Sequence, residues 1–342
     1  MSRRNVPFAM LLIAISVGTC AYAAPKPRKP AAKPTKRVVL GTKQLSGDKA
    51  ELGQMYTLGK SWPMNITLNS VEYSTDRLRF GDEVKVPAGN EKFLVLHYTL
   101  HNPQREERRV RYDTFAFTAV DSTDTNMEGR GMVGAESTQQ NLDMQLKPGQ
   151  KVNAYTYIPV PAKATAPKLI IKSGDNLVLR YDLRGKVKPL KGPAVDPADK
   201  DGTTALSEVP AQMGKTYQVG VYDVTLDSAA YSSTVLPNQD LDNGARNFVV
   251  NATVKNADPQ EHHLRYDGIT LKYTDQDGAD IGNSQRLLAA SRDVDLEANI
   301  AFGKELKVRF PVKVAKDQVV AKMVISEGYT PRLFVFDMSA VK

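Results

Sequence analysis

One pattern in this chain is written twice, and that constrains the fold more than any other feature. Leu94, Leu96, Tyr98, Leu100 and Asn102 return 154 positions later as Phe248, Val250, Ala252, Val254 and Asn256. Apolar residues at every second position mark a strand with one buried face. Five of the twelve positions across 102–113 and 256–267 are identical, among them Arg111-Tyr112-Asp113 and Arg265-Tyr266-Asp267. Upstream, Ile66-Thr67-Leu68-Asn69-Ser70 with Tyr73 answers Val224-Thr225-Leu226-Asp227-Ser228 with Tyr231. Downstream, Lys168–Ile171 answers Lys322–Ile325, and Leu179, Tyr181 and Leu183 answer Phe334, Phe336 and Met338. Offsets confined to 154–158 over a whole unit indicate a duplication.

Each copy holds seven to nine short runs rich in Val, Ile, Thr, Tyr and Phe. Turn formers such as Asp175-Asn176, Pro148-Gly149, Asp242-Asn243-Gly244 and Asp277-Gly278 separate them. No stretch sustains a helical period; Ser284–Ala290 has room for a turn or two at most. The expected fold is all-β: two tandem immunoglobulin-like antiparallel β-sandwiches. The expected limits are 59–184 and 214–342, joined by a linker over 185–213 that carries Pro189, Pro193 and Pro197.

The N-terminus reads as an export signal. Arg3 and Arg4 precede an apolar run from Val6 to Val17, and Ala21-Tyr22-Ala23 has the small-residue cleavage pattern. The run is shorter than the roughly 20 residues a membrane span needs, so no span is expected once 1–23 is removed. A twin-arginine route and lipidation at Cys20 are the variants of this reading. Cleavage after Ala23 would remove the only cysteine, so the fold would rest on core burial, without disulfides, thiol nucleophiles or thiolate metal sites. A linker is expected over 24–58, and its first part, Ala24–Arg37, interleaves proline with cations as a semi-rigid stalk. That stalk either attaches to an anionic surface or lifts the domains away from one.

The net charge of +8 is a property of these segments alone. The first 37 residues hold eight basic groups and no acid, and the other 305 hold 38 of each sign. By region, 38–184 carries +2, 185–203 carries +1 and 204–342 carries −3. A nucleic-acid-binding face is therefore not expected.

A family resemblance rests on three features. The strand Phe-Leu-Val-Leu-His-Tyr-Thr-Leu-His-Asn (93–102) is matched by Asn-Phe-Val-Val-Asn-Ala-Thr-Val-Lys-Asn (247–256). A polar turn then leads to a strand beginning Tyr-Asp and running through Phe115 or Ile269. That strand ends in an acidic hairpin, Val120-Asp121-Ser122 or Thr274–Gly278. In these features each copy resembles the secreted bacterial immunoglobulin-like domains of a telokin-like family of unknown function, and is similar to secreted antigen-type β-sandwiches. The resemblance covers roughly 60–183 and 215–338. It implies an extracytoplasmic protein that acts by binding, and it carries over no catalytic residue.

No residue pattern points to catalysis. Gly-x-Ser-x-Gly, His-Glu-x-x-His, Walker and dinucleotide glycine patterns are missing from any credible context. The chain is read as a non-enzyme without a cofactor; a hydrolase built on an unrecognised carboxylate pair is the remaining catalytic alternative. His97 and His101 share a strand face about 13 Å apart, too far to share one metal ion. His262 and His263 stand where the first copy has Arg108 and Arg109, and read as solvent-exposed turn residues. Asp275, Asp277 and Asp280 read as a hairpin turn, since the EF-hand order is missing. Arg105 belongs to a mixed-charge run, Arg105–Arg109, that reads as a solvated loop. Trp62 is set against Tyr217 of the second copy and reads as a half-buried strand aromatic. The functional expectation is recognition of an envelope protein, with a carbohydrate-binding module or a pure spacer as alternatives. Contact residues would be Trp62, Arg105, Arg108, Arg109, His262, His263, Asp275 and Asp277.

Overall fold

The structure, a computed structural model, describes residues 49–174, 177–241, 244–328 and 331–342. The expected signal segment 1–23 with Cys20, the charged stalk 24–37, and the turn pairs Asp175-Asn176 and Asp242-Asn243 lie outside the described residues. The chain forms two β-sandwiches, and no helix occurs among the described residues. In sandwich 1, one sheet runs in the order Lys49–Ala50, Val178–Asp182, Lys168–Lys172, Ala116–Val120, Asn126–Glu128. The opposing sheet runs Val133–Ala135, Lys151–Pro161, Glu91–His101, Met64–Ser74, Val187–Lys188, with Met55–Leu58 also paired to Met64–Ser74.

Sandwich 2 follows the same plan. Its first sheet is Glu208–Ala211, Leu333–Asp337, Val320–Ser326, Thr270–Asp275, Asp280–Asn283. Its second is Thr216–Val219, Tyr222–Ser232, Ala245–Asn256, Glu305–Ala315, Leu288–Ala289. Neighbours are antiparallel except where Lys49–Ala50, Val187–Lys188 and Glu208–Ala211 join their partners in parallel. The correspondence extends to irregularities. A bulge interrupts the register between Leu68 and Ser70, and another between Leu226 and Ser228.

Alternation along the long strands fills the two cores. Ile66, Leu68, Leu94, Leu96, Tyr98 and Leu100 face Phe117, Leu169, Ile171 and Leu179 in sandwich 1. Val224, Leu226, Phe248, Val250 and Val254 meet Leu271, Tyr273, Met323 and Phe336 in sandwich 2. Sandwich 1 adds a second layer. The hairpin Leu78–Phe80/Glu83–Lys85 lays Phe80 on Phe93, Val95, Tyr155 and Tyr157, so the strand around 93–96 is buried on both faces.

The Asn that ends each repeated strand is a buried pin. Asn102 Nδ2 donates to Glu106 O (2.7 Å) and Leu146 O (2.9 Å), and Oδ1 accepts from the Gln104 amide (2.9 Å). Asn256 makes the same three bonds, to Gln260 O (2.7 Å), Ile300 O (2.8 Å) and the Asp258 amide (2.8 Å). Each side chain satisfies two backbone groups of the loop that follows it and one carbonyl at the end of a distant short strand, Met144–Leu146 or Ala298–Ile300, all of which would otherwise be buried unpaired. The sequence repeats this Asn because the fold uses it twice in one geometry.

Both expected linkers are ordered at their downstream ends. The 24–58 segment already joins sandwich 1, where Tyr56 and Leu58 are core residues and Met55–Leu58 pairs with Met64–Thr67. The 185–213 segment is stitched down as well. Val187–Lys188 pairs with Val71–Glu72, Val195 bridges Ala205, and sandwich 2 begins at Glu208. Buried Lys92 donates to Ala162 O (3.0 Å) and to Thr203 O, fastening the segment to sandwich 1. Burial holds the Lys92 ammonium pKa down to about 8 against the opposing pull of Asp199.

Candidate functional site

The same corner of each sandwich carries the features of most interest. In sandwich 2 it is built from Gly220, Tyr222, Asp223, Asp258, His262 and Glu327. The short strand His262–Leu264 pairs with Ala298–Ile300, and its alternation turns His262 inward and His263 outward. His262 Nε2 lies 3.0 Å from Asp258 Oδ2, and its ring stands edge-on to Tyr222 at 5.9 Å. Gly220, at φ +56, leaves the space that the Glu327 carboxylate fills; a Cβ would collide with it. Burial raises the Glu327 pKa, with His262 and Arg77 pulling it back.

A turn of sandwich 1 covers this corner. Arg77, just beyond the strand Met64–Ser74, lies 2.9 Å from Asp223 Oδ1 and donates to Tyr222 O (3.0 Å). Its own amide donates to Gln218 Oε1 (3.0 Å), and Gln218 Nε2 donates to Thr75 O (3.4 Å). Burial lowers the Arg77 pKa, opposed chiefly by Asp223, with Asp76 and Asp258 in reach. Arg332 braces a second side of the junction, donating to Leu206 O and Glu91 O, both at 2.7 Å. A cleft of about 480 Å³ remains between these braces, lined in part by Tyr217, Glu327 and Arg332.

The matching corner of sandwich 1 has no such cover among the described residues. Arg108 occupies the place of His262, and its guanidinium lies over the Trp62 ring at 4.3 Å from the centroid. Arg108 is largely buried while Trp62 is 66% exposed. Gly59, at φ +90, admits the loop that carries Trp62, since a Cβ there would strike the Trp62 carbonyl. A cleft of about 630 Å³ opens beside this stack, lined by Trp62, Arg108, Arg109, Gln145 and Ser173 among others. Arg109 turns outward and forms two bonds with the Asp143 carboxylate, at 2.6 and 2.7 Å.

Several sequence expectations need correction here. Trp62 is not a half-buried strand aromatic, and it is not the counterpart of Tyr217. That counterpart is Tyr56, whose hydroxyl accepts the Glu51 amide (2.9 Å) as the Tyr217 hydroxyl accepts that of Gln212 (2.8 Å). From Gly59 to Met64 the first copy spends three more residues than the second does from Gly220 to Tyr222, and Trp62 rides on that insertion. Arg108 and His262 are not solvent-exposed turn residues either; both are inward-facing strand residues. His263 is exposed and shares a bond with Asn299 (2.8 Å).

The other sites stand apart from the corner. His97 meets Glu136 (2.9 Å), whereas His101 meets Asn65 (3.0 Å). Arg105 lies exposed in the loop before Arg108. Asp275 accepts the amides of Asp277 (3.0 Å) and Ala279 (2.8 Å), and Asp121 does the same for Thr123 and Thr125. These amides lower both carboxyl pKa values and close both hairpins. Among the described residues no group of three or more His, Cys, Asp or Glu is placed to hold a metal ion. No helix among them is long and apolar enough to cross a membrane.

Arg77, Lys92, Glu327 and Arg332 were not legible as functional positions. Only Arg77 left a trace: it stands where the second copy has Val235, an exchange of charge for an apolar group at one point of a repeat.

No family model matches the chain, and no curated protein is similar to it. Among solved structures, an uncharacterized β-sandwich protein from Clostridium difficile is 14% identical, with 40% of this chain and 93% of that one covered at a TM-score of 0.30. The secreted protein MPT63 of Mycobacterium tuberculosis is 11% identical over 39% of this chain and 95% of its own, at 0.29. The yjhA protein of Bacillus subtilis is 11% identical over 37% and 97%, at 0.26.

Proposed function

We propose that this is an extracytoplasmic, non-catalytic recognition protein whose contact surface is the Trp62–Arg108 corner of sandwich 1. One observation carries the reading. The equivalent corner of sandwich 2 is a protein-docking socket, filled by the Arg77 turn, while that of sandwich 1 presents a tryptophan that is 66% exposed. A large ring fixed over a guanidinium is the kind of anchor on which protein contacts concentrate their energy. Export follows from the N-terminal pattern, and the basic stalk would hold the sandwiches near an anionic envelope.

Trp62 is the only tryptophan in the chain, so its fluorescence reports on this corner alone. Envelope proteins passed over the immobilised full chain should be retained in high salt and released when Trp62 is replaced by Ala. Retention that depends only on salt would assign binding to the stalk. A second reading, binding of a polysaccharide, draws on the polar rim of the same cleft, where Arg109, Asp113 and Gln145 lie beside the ring. Cell-wall glycan that shifts Trp62 emission, when envelope protein does not, would favour it.

A further inference from the structure

We propose that the chain associates head to tail with a second copy of itself. The turn after the strand Tyr222–Ser232 of one copy seats on the Trp62–Arg108 corner of the next. This rests on the recognition reading above and names its partner.

The chain already contains one junction of this kind. The strands Met64–Ser74 and Tyr222–Ser232 hold equivalent registers against their neighbours, and the same hydrogen bond starts the turn beyond each. Asp76 donates its amide to Ser74 Oγ (3.0 Å), and Thr234 donates its amide to Ser232 Oγ (3.1 Å). Arg77 and Val235 are therefore the same position in the two sandwiches. Within the chain, the Arg77 turn plugs the corner of sandwich 2. A tandem of two such units has one plug and one socket engaged, and one of each left over. The leftover plug presents Val235, 58% exposed, and the leftover socket presents Trp62.

The chemistry changes on both sides together. Arg77 enters a socket bearing Asp223, Asp258 and Glu327. Their counterparts in sandwich 1 are Asn65, Gln104 and Ser173, all uncharged. The plug that lacks the cation belongs with the socket that lacks the acids. An apolar plug suits an aromatic floor as a cation suits an acidic one.

The open socket also holds unused hydrogen-bonding capacity. Gln104 and Ser173 are each 6% exposed, yet Gln104 Nε2, Ser173 Oγ and Arg108 Nε make no hydrogen bond among the described residues. Buried polar groups are normally paired. In the internal junction the backbone carbonyl of Thr75 accepts from Gln218. Gln104 Nε2 and Arg108 Nε are shut off from solvent in the single chain, so a carbonyl of the 233–235 turn reaches them only when those side chains swing outward on docking. Such a contact is heterologous, so it leaves a plug and a socket open at the ends of each assembly and propagates until its rotation closes a ring.

The test uses the full chain in sedimentation velocity over a range of concentrations, with Trp62→Glu to block the socket and Val235→Glu to block the plug. Both side chains are exposed, and a far-UV circular dichroism spectrum and urea midpoint equal to those of the wild type verify the fold of each variant. Trp62→Ala serves as a milder socket variant. The wild type should form assemblies longer than dimers, and each variant should associate at least about 30-fold more weakly. An equimolar mixture of the two blocked variants should yield dimers and nothing longer, because one keeps its plug and the other its socket. A mixture that stays monomeric while the wild type associates would overturn the proposal in favour of face-to-face pairing. Association surviving either single substitution would also overturn it. If the wild type stays monomeric throughout but Trp62 emission still shifts with an envelope protein, this inference falls and the recognition reading stands.

Discussion

The corner of sandwich 2 around His262 and the corner of sandwich 1 around Arg108 share one plan and have opposite fates. Both follow a buried Asn with the same three hydrogen bonds. Both put the side chain six residues beyond that Asn beside an aromatic ring, Tyr222 in one and Trp62 in the other. One is charged, closed and spent on holding the two sandwiches together. The other has Asn65, Gln104 and Ser173 in place of the three acids, carries a three-residue insertion, and turns a ring stacked on Arg108 to solvent. Duplication copies a surface together with its fold, and what distinguishes the copies is which surfaces the tandem itself consumes.

The largest effect should come from the part the two halves share. Asn102→Ala and Asn256→Ala each strand buried carbonyls and an amide, at a cost of about 3 kcal/mol or more. Urea unfolding should show losses of similar size at both positions. A cost confined to one of them would break the equivalence of the halves.

Next is the closed socket. Arg77→Met takes the cation from Asp223, leaves Asp258 and Glu327 with His262 alone, and removes the bond to Tyr222 O. Because Asp223 is about one-third exposed, about 2 kcal/mol is expected, below the full cost of breaking a buried pair. Thermal unfolding should then separate into two steps as the sandwiches lose their coupling. A single unshifted transition would mean that the junction is held elsewhere, Arg332 being the first place to look.

A smaller effect tests the stitched linker. Lys92 titrates at about 8 in the folded chain and at 10.5 when unfolded. Between those values the unfolded state binds more protons, so stability should rise from pH 8 toward 10. Above 10 the trend should reverse. Burial pushes Tyr155, Tyr157 and Tyr222 up to about 12, so unfolded tyrosines ionise first. Lys92→Met should abolish the alkaline rise and keep the later fall. The smallest effect is expected at the repeated exposed pairs Arg111–Asp113 and Arg265–Asp267, where replacing either acid by Asn should leave the unfolding midpoint unmoved.

Much of this fold was legible because strand alternation and a buried Asn leave their mark at fixed spacing. The repeated strands, the two cores and the hairpins closed by Asp121 and Asp275 follow from such local rules, whereas the order of strands within each sheet does not. The site was less legible because its geometry depends on a change of offset. Between the registers of Tyr56 and Met64 the spacing of the copies falls from 161 to 158, and an alignment that carries 158 upstream misses Tyr56 as the partner of Tyr217. Inward and outward alternation at Arg108-Arg109 and His262-His263 was hidden for another reason. Three-residue strands are too short to show a period. Contacts between the sandwiches, such as Arg77 with Asp223, leave no periodic mark at all.

The most direct measurement is the access of a neutral quencher to Trp62 as protein concentration rises, in the wild-type chain and in Val235→Glu. Trp62 should be fully quenchable in dilute solution in both. It should become protected in concentrated wild type and stay accessible in Val235→Glu. A Trp62 already shielded in the dilute monomer, or one equally accessible at every concentration in both chains, would contradict an open socket awaiting its plug.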